Sequence, residues 1–127
     1  MNLQVLLDRF SQNPRIKSIA DRISVPETAN LRLTRLTGSS SQFVLAAVYG
    51  HPAAAGLNHL VILDNAEEAA YFHNTLENLT EALDLYYFPS SYKNRKNFRL
   101  LNSSHVMLRT ETLTRFSSDG NKRIMVC

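Results

Sequence analysis

The sequence contains almost no cysteine and no long hydrophobic run, and these two absences exclude several classes of protein. Its 127 residues include one cysteine, Cys127, which alone can build neither a disulfide framework nor a cysteine-rich metal site. The apolar runs are far shorter than the roughly 20 residues that span a bilayer. No basic segment followed by an apolar run opens the chain, so no signal peptide is predicted. We therefore expect a cytoplasmic protein with a reduced thiol and no membrane partner.

The sequence also lacks the residue clusters that carry metal or nucleophilic chemistry. No two histidines are three or four residues apart in the set His51, His59, His73 and His105. The acidic residues of the middle of the chain fit a solvated helix face, and no Gly-x-Ser-x-Gly elbow is present. We therefore predict no metal site and no catalytic residue.

What the sequence does contain is typical of a folded domain. Hydrophobic residues make up 44% of the chain and charged residues 20%, which argues against disorder. The net charge of +3 permits contact with nucleic acid or another acidic partner but does not require it.

Two short helical patterns open the chain. Apolar residues recur at helical spacing over residues 3–10 and again over residues 16–23, with Pro14 placed where the second helix would begin. We predict a helical N-terminal arm over residues 1–28 and an α/β domain over residues 29–127.

Strand and helix patterns alternate through the predicted α/β domain. Strands are predicted over residues 29–36, 59–64, 85–88 and 123–127. Helices are predicted over residues 41–54, 65–83 and 103–116. Such alternation favours an α/β fold with a partial doubly wound, mostly parallel sheet covered by helices on both faces. Because a helix normally follows the last strand of such a sheet, we expect a piece of a longer protein that is truncated at its C-terminal end.

The turn after the first predicted strand occupies the place of a phosphate loop. It can be aligned with the pattern G-x-x-x-x-G-K-[ST], with Arg35 and Ser40 at the two glycine positions. Ser41 then replaces the lysine that neutralises phosphate charge, and Gln42 replaces the hydroxyl that holds Mg²⁺. The residues of this degenerate phosphate loop are Arg35, Thr37, Gly38, Ser39, Ser40, Ser41 and Gln42. We predict that it binds no nucleotide productively, and an ordinary strand-to-helix turn explains the same residues.

A second candidate site is a basic loop after the third predicted strand. Cations with aromatic neighbours suit phosphate contacts and base stacking. The candidate nucleic-acid contacts are Tyr92, Lys93, Arg95, Lys96 and Arg99. A solvated surface loop explains these residues as well.

Five segments, by their order and spacing, carry a resemblance to a known family. They are residues 33–40 with the helix 43–48, the strand 59–63 with the acids after it, the tract 87–92, the helix 107–113 and the strand 123–127. From about residue 30 onward they resemble the N-terminal part of a bacterial transcription-repair coupling factor. In that family this region is similar to the first nucleotide-binding domain of UvrB, a helicase of excision repair, but has a degenerate phosphate loop.

The resemblance implies a function for the whole protein. It would displace RNA polymerase stalled at damaged DNA with an ATP-driven translocase, and it would recruit UvrA through its UvrB-like module. ATP and Mg²⁺ would bind in motor domains downstream, so this fragment would hold no cofactor and would not be an enzyme. Its own contacts would be intramolecular, with the rest of the protein. The UvrA-contacting surface of the family lies mainly beyond residue 127, so no UvrA contact is assigned to this sequence.

Two other functions remain open at this stage. The chain could be a small NTPase in which Arg35 replaces the missing lysine, or a nucleic-acid-binding module that uses the basic loop. Loss of nucleotide affinity in Arg35→Ala would favour the first. A steep fall of DNA affinity with salt would favour the second. UvrB itself is disfavoured, because it needs an intact Gly-Lys-Thr type of loop.

Overall fold

The computed structural model describes residues 2–79, 84–90, 103–118 and 123–127. The helices in this part of the chain are α1 (Leu3–Ser11), α2 (Pro14–Ser24), α3 (Ser40–Gly50), a 3₁₀ turn (Pro52–Ala54), α4 (Ala66–Leu79) and α5 (Ser103–Ser117). The strands are β1 (His59–Val61), β2 (Leu85–Tyr87) and β3 (Ile124–Val126). The described residues of 1–57 and 75–79 form one compact unit, and those of 58–74 and 84–127 form another.

The two leading helices begin where the sequence predicts. Asn2 caps α1 by accepting a hydrogen bond from the Gln4 backbone N–H at 3.0 Å. Asn13 caps α2 in the same way by accepting from the Arg15 N–H at 2.9 Å, and Pro14 occupies the first turn, where no N–H is needed.

Helices α1 and α2 pack against α3 in the first unit. The rings of Phe10 and Phe43 stack with centroids 5.2 Å apart, and Ile16 and Ala20 of α2 are buried. The middle of α3 is almost wholly buried through Ala46, Ala47, Val48 and Tyr49. The proposed boundary between an arm over residues 1–28 and a domain over residues 29–127 stays a prediction.

The predicted strand over residues 29–36 is wrong. Residues 28–37 form neither helix nor strand, and Leu31, Leu33 and Leu36 remain 47%, 47% and 40% exposed. Alternation of leucine with polar residues is not sufficient for a strand, and Arg35 within the segment has a left-handed φ of 63°. A strand also requires a hydrogen-bonded neighbour, and within the described residues no backbone bond joins residues 30–36 to another segment.

The second unit contains a three-stranded, fully parallel sheet with the order β1-β3-β2. His59 and Leu85 both pair with Ile124, so the edge strands lie in the same register on β3. Ile124 and Val126 of the central strand are completely buried. The prediction of an α/β fold with a parallel sheet is confirmed at this level.

The other elements lie close to their predicted positions. Helix α3 ends at Gly50, four residues before the predicted end, and the 3₁₀ turn follows it. Helix α4 begins after Asn65, whose Oδ1 accepts the Glu68 N–H at 2.8 Å and so caps the first turn. Its predicted extension over residues 80–83 lies outside the described residues. No helix in the described ranges is long and apolar enough to cross a membrane.

Candidate functional site

The turn over residues 35–42, which was predicted to be a degenerate phosphate loop, has a left-handed backbone at two positions. Arg35 has a φ of 63° and Gly38 a φ of 54°. Glycine adopts this conformation freely, whereas for a residue with a side chain it costs roughly 1–2 kcal/mol. Arg35, at the first glycine position of the aligned pattern, therefore has the type of backbone conformation that glycine adopts most easily.

The two positions that would bind phosphate and metal are engaged with each other. Ser41, at the lysine position, donates its hydroxyl proton to Gln42 Oε1 at 2.7 Å. Gln42, at the position of the Mg²⁺ ligand, is only 3% exposed. A buried amide and a bonded hydroxyl supply neither a positive charge nor a free hydroxyl to a nucleotide.

The backbone of the same loop is also occupied. The Ser40 N–H donates to the Thr37 carbonyl at 3.1 Å, and the Ser40 hydroxyl donates to that carbonyl at 2.7 Å. The N–H groups of Gln42 and Phe43 donate to the Ser39 carbonyl at 3.1 and 3.2 Å. A phosphate loop keeps such N–H groups directed at the ligand, so this tight turn has already used donors that a phosphate would need.

A crevice of about 190 Å³ lies beyond the carboxyl ends of the three strands, in the second unit. Ligands of open parallel sheets commonly bind at this edge. This crevice was not predicted from the sequence, although the residues that follow the three strands could have indicated it. Its polar lining residues are Asp64, Asn65, Tyr87, Ser90 and Cys127.

Among the described residues that line the crevice there is no lysine, arginine or histidine. The Tyr87 hydroxyl is directed at the Ala66 carbonyl at 3.5 Å, and Cys127 Sγ lies 3.5 Å from the Val61 carbonyl. Nearby, Arg109 lies 4.0 Å from the centroid of the Phe88 ring and donates to the Pro89 carbonyl at 2.8 Å, which fixes its charge against the protein.

No further candidate site forms among the described residues. The basic loop with Tyr92, Lys93, Arg95, Lys96 and Arg99 lies outside the described residues, so its DNA contact stays a prediction. Within the described ranges, no three histidine, cysteine or acidic side chains gather where a metal ion could bind. Burial, and after it the neighbouring Asp84 carboxylate, raises the pKa of Tyr86, which packs edge-on against Phe116 and does not line the crevice.

Comparison of the chain with models of protein families, with curated proteins and with solved structures finds no match. The function must therefore be argued from the residues and their geometry.

Proposed function

We propose that this chain is the non-catalytic UvrB-like segment of a bacterial transcription-repair coupling factor. It would be the first part of a partial doubly wound domain derived from a phosphate-loop fold. The complete protein would be an ATP-dependent DNA translocase that displaces stalled RNA polymerase and recruits UvrA in transcription-coupled excision repair. This segment would support the adaptor surface and contribute no ATP chemistry.

The observation that carries the proposal is the hydrogen bond between Ser41 and buried Gln42. A helix follows a turn whose residues can be aligned with a phosphate loop, although no strand precedes it, and the residues at the lysine and hydroxyl positions are bonded to each other. Catalysis of phosphoryl transfer depends on charge at these positions. The turn has a left-handed backbone at Arg35 and Gly38 but lacks the lysine and the hydroxyl. This combination fits a loop that has lost nucleotide binding.

Calorimetric titration with Mg·ATP tests the loss of nucleotide binding. We expect no binding heat from the chain up to millimolar ligand, while a UvrB with an intact loop, titrated in the same buffer, gives a saturable signal. One-to-one binding by this chain would contradict the proposal. In that case the Arg35→Ala variant would be compared with Arg22→Ala, which changes an exposed residue of α2. Loss of nucleotide binding in the Arg35 variant alone would show that Arg35 replaces the lysine.

A second experiment tests the identity of the parent protein. The complete protein that contains this chain is expected to displace an RNA polymerase stalled on DNA in the presence of ATP, and residues 1–127 alone are not. Absence of ATP-dependent displacement by the complete protein would reject the assignment to a coupling factor, whatever the titration shows.

A further inference from the structure

The first unit contains a cavity of about 360 Å³ that is lined by α1, α2, α3 and residues 32–36. Its volume is roughly twelve times the share of one water molecule in the liquid, so it suits an apolar body of about eight to ten carbon atoms. The apolar lining residues are Phe10, Ile16, Ile19, Leu33, Leu36 and Val44.

The apolar lining of this cavity extends from the interior of the unit to its surface. Ile16 is 3% exposed, whereas Leu33 and Leu36 are 47% and 40% exposed. A ligand can therefore enter from solvent. Once bound, its apolar part would cover leucine side chains that now contact water, and removal of such surface from water favours binding.

The polar side chains around the cavity are rich in hydrogen-bond donors. Arg15 and Arg32 both line it and both are exposed, and the described lining contains no aspartate or glutamate. Thr34 adds a hydroxyl, and Asn13 adds an amide whose Oδ1 already accepts the Arg15 N–H at 2.9 Å. The presence of Asn13 and Arg15 also places the amino end of α2 at the cavity, where the helix dipole favours negative charge.

We propose that this cavity binds a small amphipathic carboxylate, such as a fatty acid of medium chain length. The alkyl chain would lie against Ile16 and Leu33, and the carboxylate would contact Arg15 and Arg32. A guanidinium presents two parallel N–H donors that match the two oxygens of a carboxylate. Such a site would add the binding of a small molecule to the supporting role proposed for this segment.

Calorimetric titration of the protein with octanoate provides the direct test. We expect saturable one-to-one binding with a Kd below about 1 mM. Octylammonium has the same alkyl chain but the opposite charge, and it should bind at least about ten-fold more weakly. Butyrate keeps the carboxylate but has a shorter chain, and it should also bind at least about ten-fold more weakly. Absence of octanoate binding, or equal binding of octanoate and octylammonium, would overturn the proposal.

Removal of the two arginine charges tests the carboxylate contact. Arg15→Gln combined with Arg32→Gln should weaken octanoate binding at least about ten-fold. The control is Arg22→Gln, which changes an exposed arginine in the last turn of α2 outside the cavity lining and should leave binding unchanged. Circular dichroism checks the fold of each variant. Equal weakening in the control would show a general charge effect and would reject the site.

A larger side chain at Ile19 tests the position of the alkyl chain. Ile19→Phe should fill part of the cavity and weaken octanoate binding at least about ten-fold. Ile23→Phe makes the same change at another half-buried position of α2 that is not in the cavity lining, and it should leave binding unchanged. Equal effects of the two variants would reject the position.

Nuclear Overhauser contacts locate the ligand in the unchanged protein and need no variant to fold. The methylene protons of octanoate should contact the ring protons of Phe10 and the methyl protons of Ile16. Contacts confined to residues outside the lining would overturn the proposal.

The carboxyl terminus of a partner protein is the other occupant to test. The peptide Gly-Ser-Gly-Ser-Leu ends in an apolar side chain beside a free carboxylate, but that side chain fills only part of the cavity. We expect it to bind at least about ten-fold more weakly than octanoate. Tighter binding of the peptide would identify a chain terminus as the occupant and would contradict the proposal of a small-molecule site.

Discussion

Arg123 and Asp84 meet at the amino end of the sheet, where Arg123 Nε lies 3.4 Å from Asp84 Oδ2. The two residues directly precede β3 and β2, which are neighbouring strands. The Arg123 side chain is 11% exposed and that of Asp84 39%, and Nε makes no directed hydrogen bond. The guanidinium also donates to the Ser118 carbonyl at 3.3 Å, so the charge is held between the sheet and the end of α5.

Replacing Asp84 with alanine should lower the free energy of unfolding by about 1–2 kcal/mol. The change leaves a mostly buried guanidinium without its counter-charge, and the partial exposure of Asp84 keeps the loss below that of a fully buried pair. Urea unfolding followed by circular dichroism measures the effect. Glu111→Ala, which removes an exposed acid from α5, is the control and should change stability by less than about 0.5 kcal/mol. Equal losses in both variants would contradict a role for the Arg123 contact.

The Thr112→Val change should destabilise the protein by about 1–2 kcal/mol. Thr112 is 1% exposed, and its hydroxyl lies 2.8 Å from the Leu108 carbonyl and 3.2 Å from the Tyr87 carbonyl. Valine keeps the shape but removes the buried donor that these two carbonyls share. Thr114→Val on the same helix removes an exposed hydroxyl that bonds the Thr110 carbonyl, and it should cost less than about 0.5 kcal/mol. Thermal unfolding should therefore give a lower midpoint for Thr112→Val than for Thr114→Val. Coincident unfolding curves would argue against a stabilising role of the Thr112 hydroxyl.

Gly38→Ala and Gly50→Ala should have opposite effects on stability. No atom lies within 4 Å of a Cβ added at either position, so neither variant introduces a clash. The φ of 54° at Gly38 makes alanine unfavourable there by about 1 kcal/mol. Gly50 belongs to α3, where alanine should add about 0.5–1 kcal/mol of stability. Urea midpoints that move in the same direction would show that the loop does not hold Gly38 in this conformation.

Stability should fall with rising pH through the titration of Tyr86. Burial and the Asp84 carboxylate raise the pKa of its phenol above the ordinary value of 10.0. The folded state therefore keeps this proton when the unfolded chain has begun to lose it. The stabilising contribution is fully present below the unfolded pKa and decreases as pH rises through the folded pKa. Urea unfolding measures the free energy of unfolding from pH 8 to 11, and this free energy should decrease less in Tyr86→Phe than in the unchanged protein. The same decrease in both proteins would contradict a raised pKa of Tyr86.

Local signals predicted most of the secondary structure. Pro14 indicated the start of α2 in the sequence, because the start of a helix depends on residues within one turn. The short apolar runs around β1 and β3 predicted parallel strands, because covered strands read as continuous apolar sequence. Ile124 and Val126 of β3 are buried as expected, whereas Leu60 of the edge strand β1 is 61% exposed, so the expectation of burial on both faces is wrong for β1. These elements can be recognised without knowing which segment packs against which.

Features that depend on residues distant in the chain were harder to predict from the sequence. The alternation at Leu31 and Leu33 predicted a strand, but alternation does not indicate whether a neighbouring strand is there to pair. The sequence showed that the turn lacks the lysine and the hydroxyl of a phosphate loop, but it did not show that the Ser40 and Gln42 amides donate to nearby carbonyls. The crevice at the sheet edge was missed because it depends on three strands that come together from distant parts of the chain.

The position of β3 between β1 and β2 determines when the sheet can form. Neither edge strand pairs with the other, and each bonds only with β3 in the described sheet. The contact between Asn58 and Arg123 at the base of this pairing spans 65 residues of chain. A ribosome must therefore add β3 before β1 or β2 has a partner, while α1 and α2 can form from local contacts much earlier. Until then the apolar residues of both edge strands are exposed to other chains, and this interval is the time at which aggregation competes with folding.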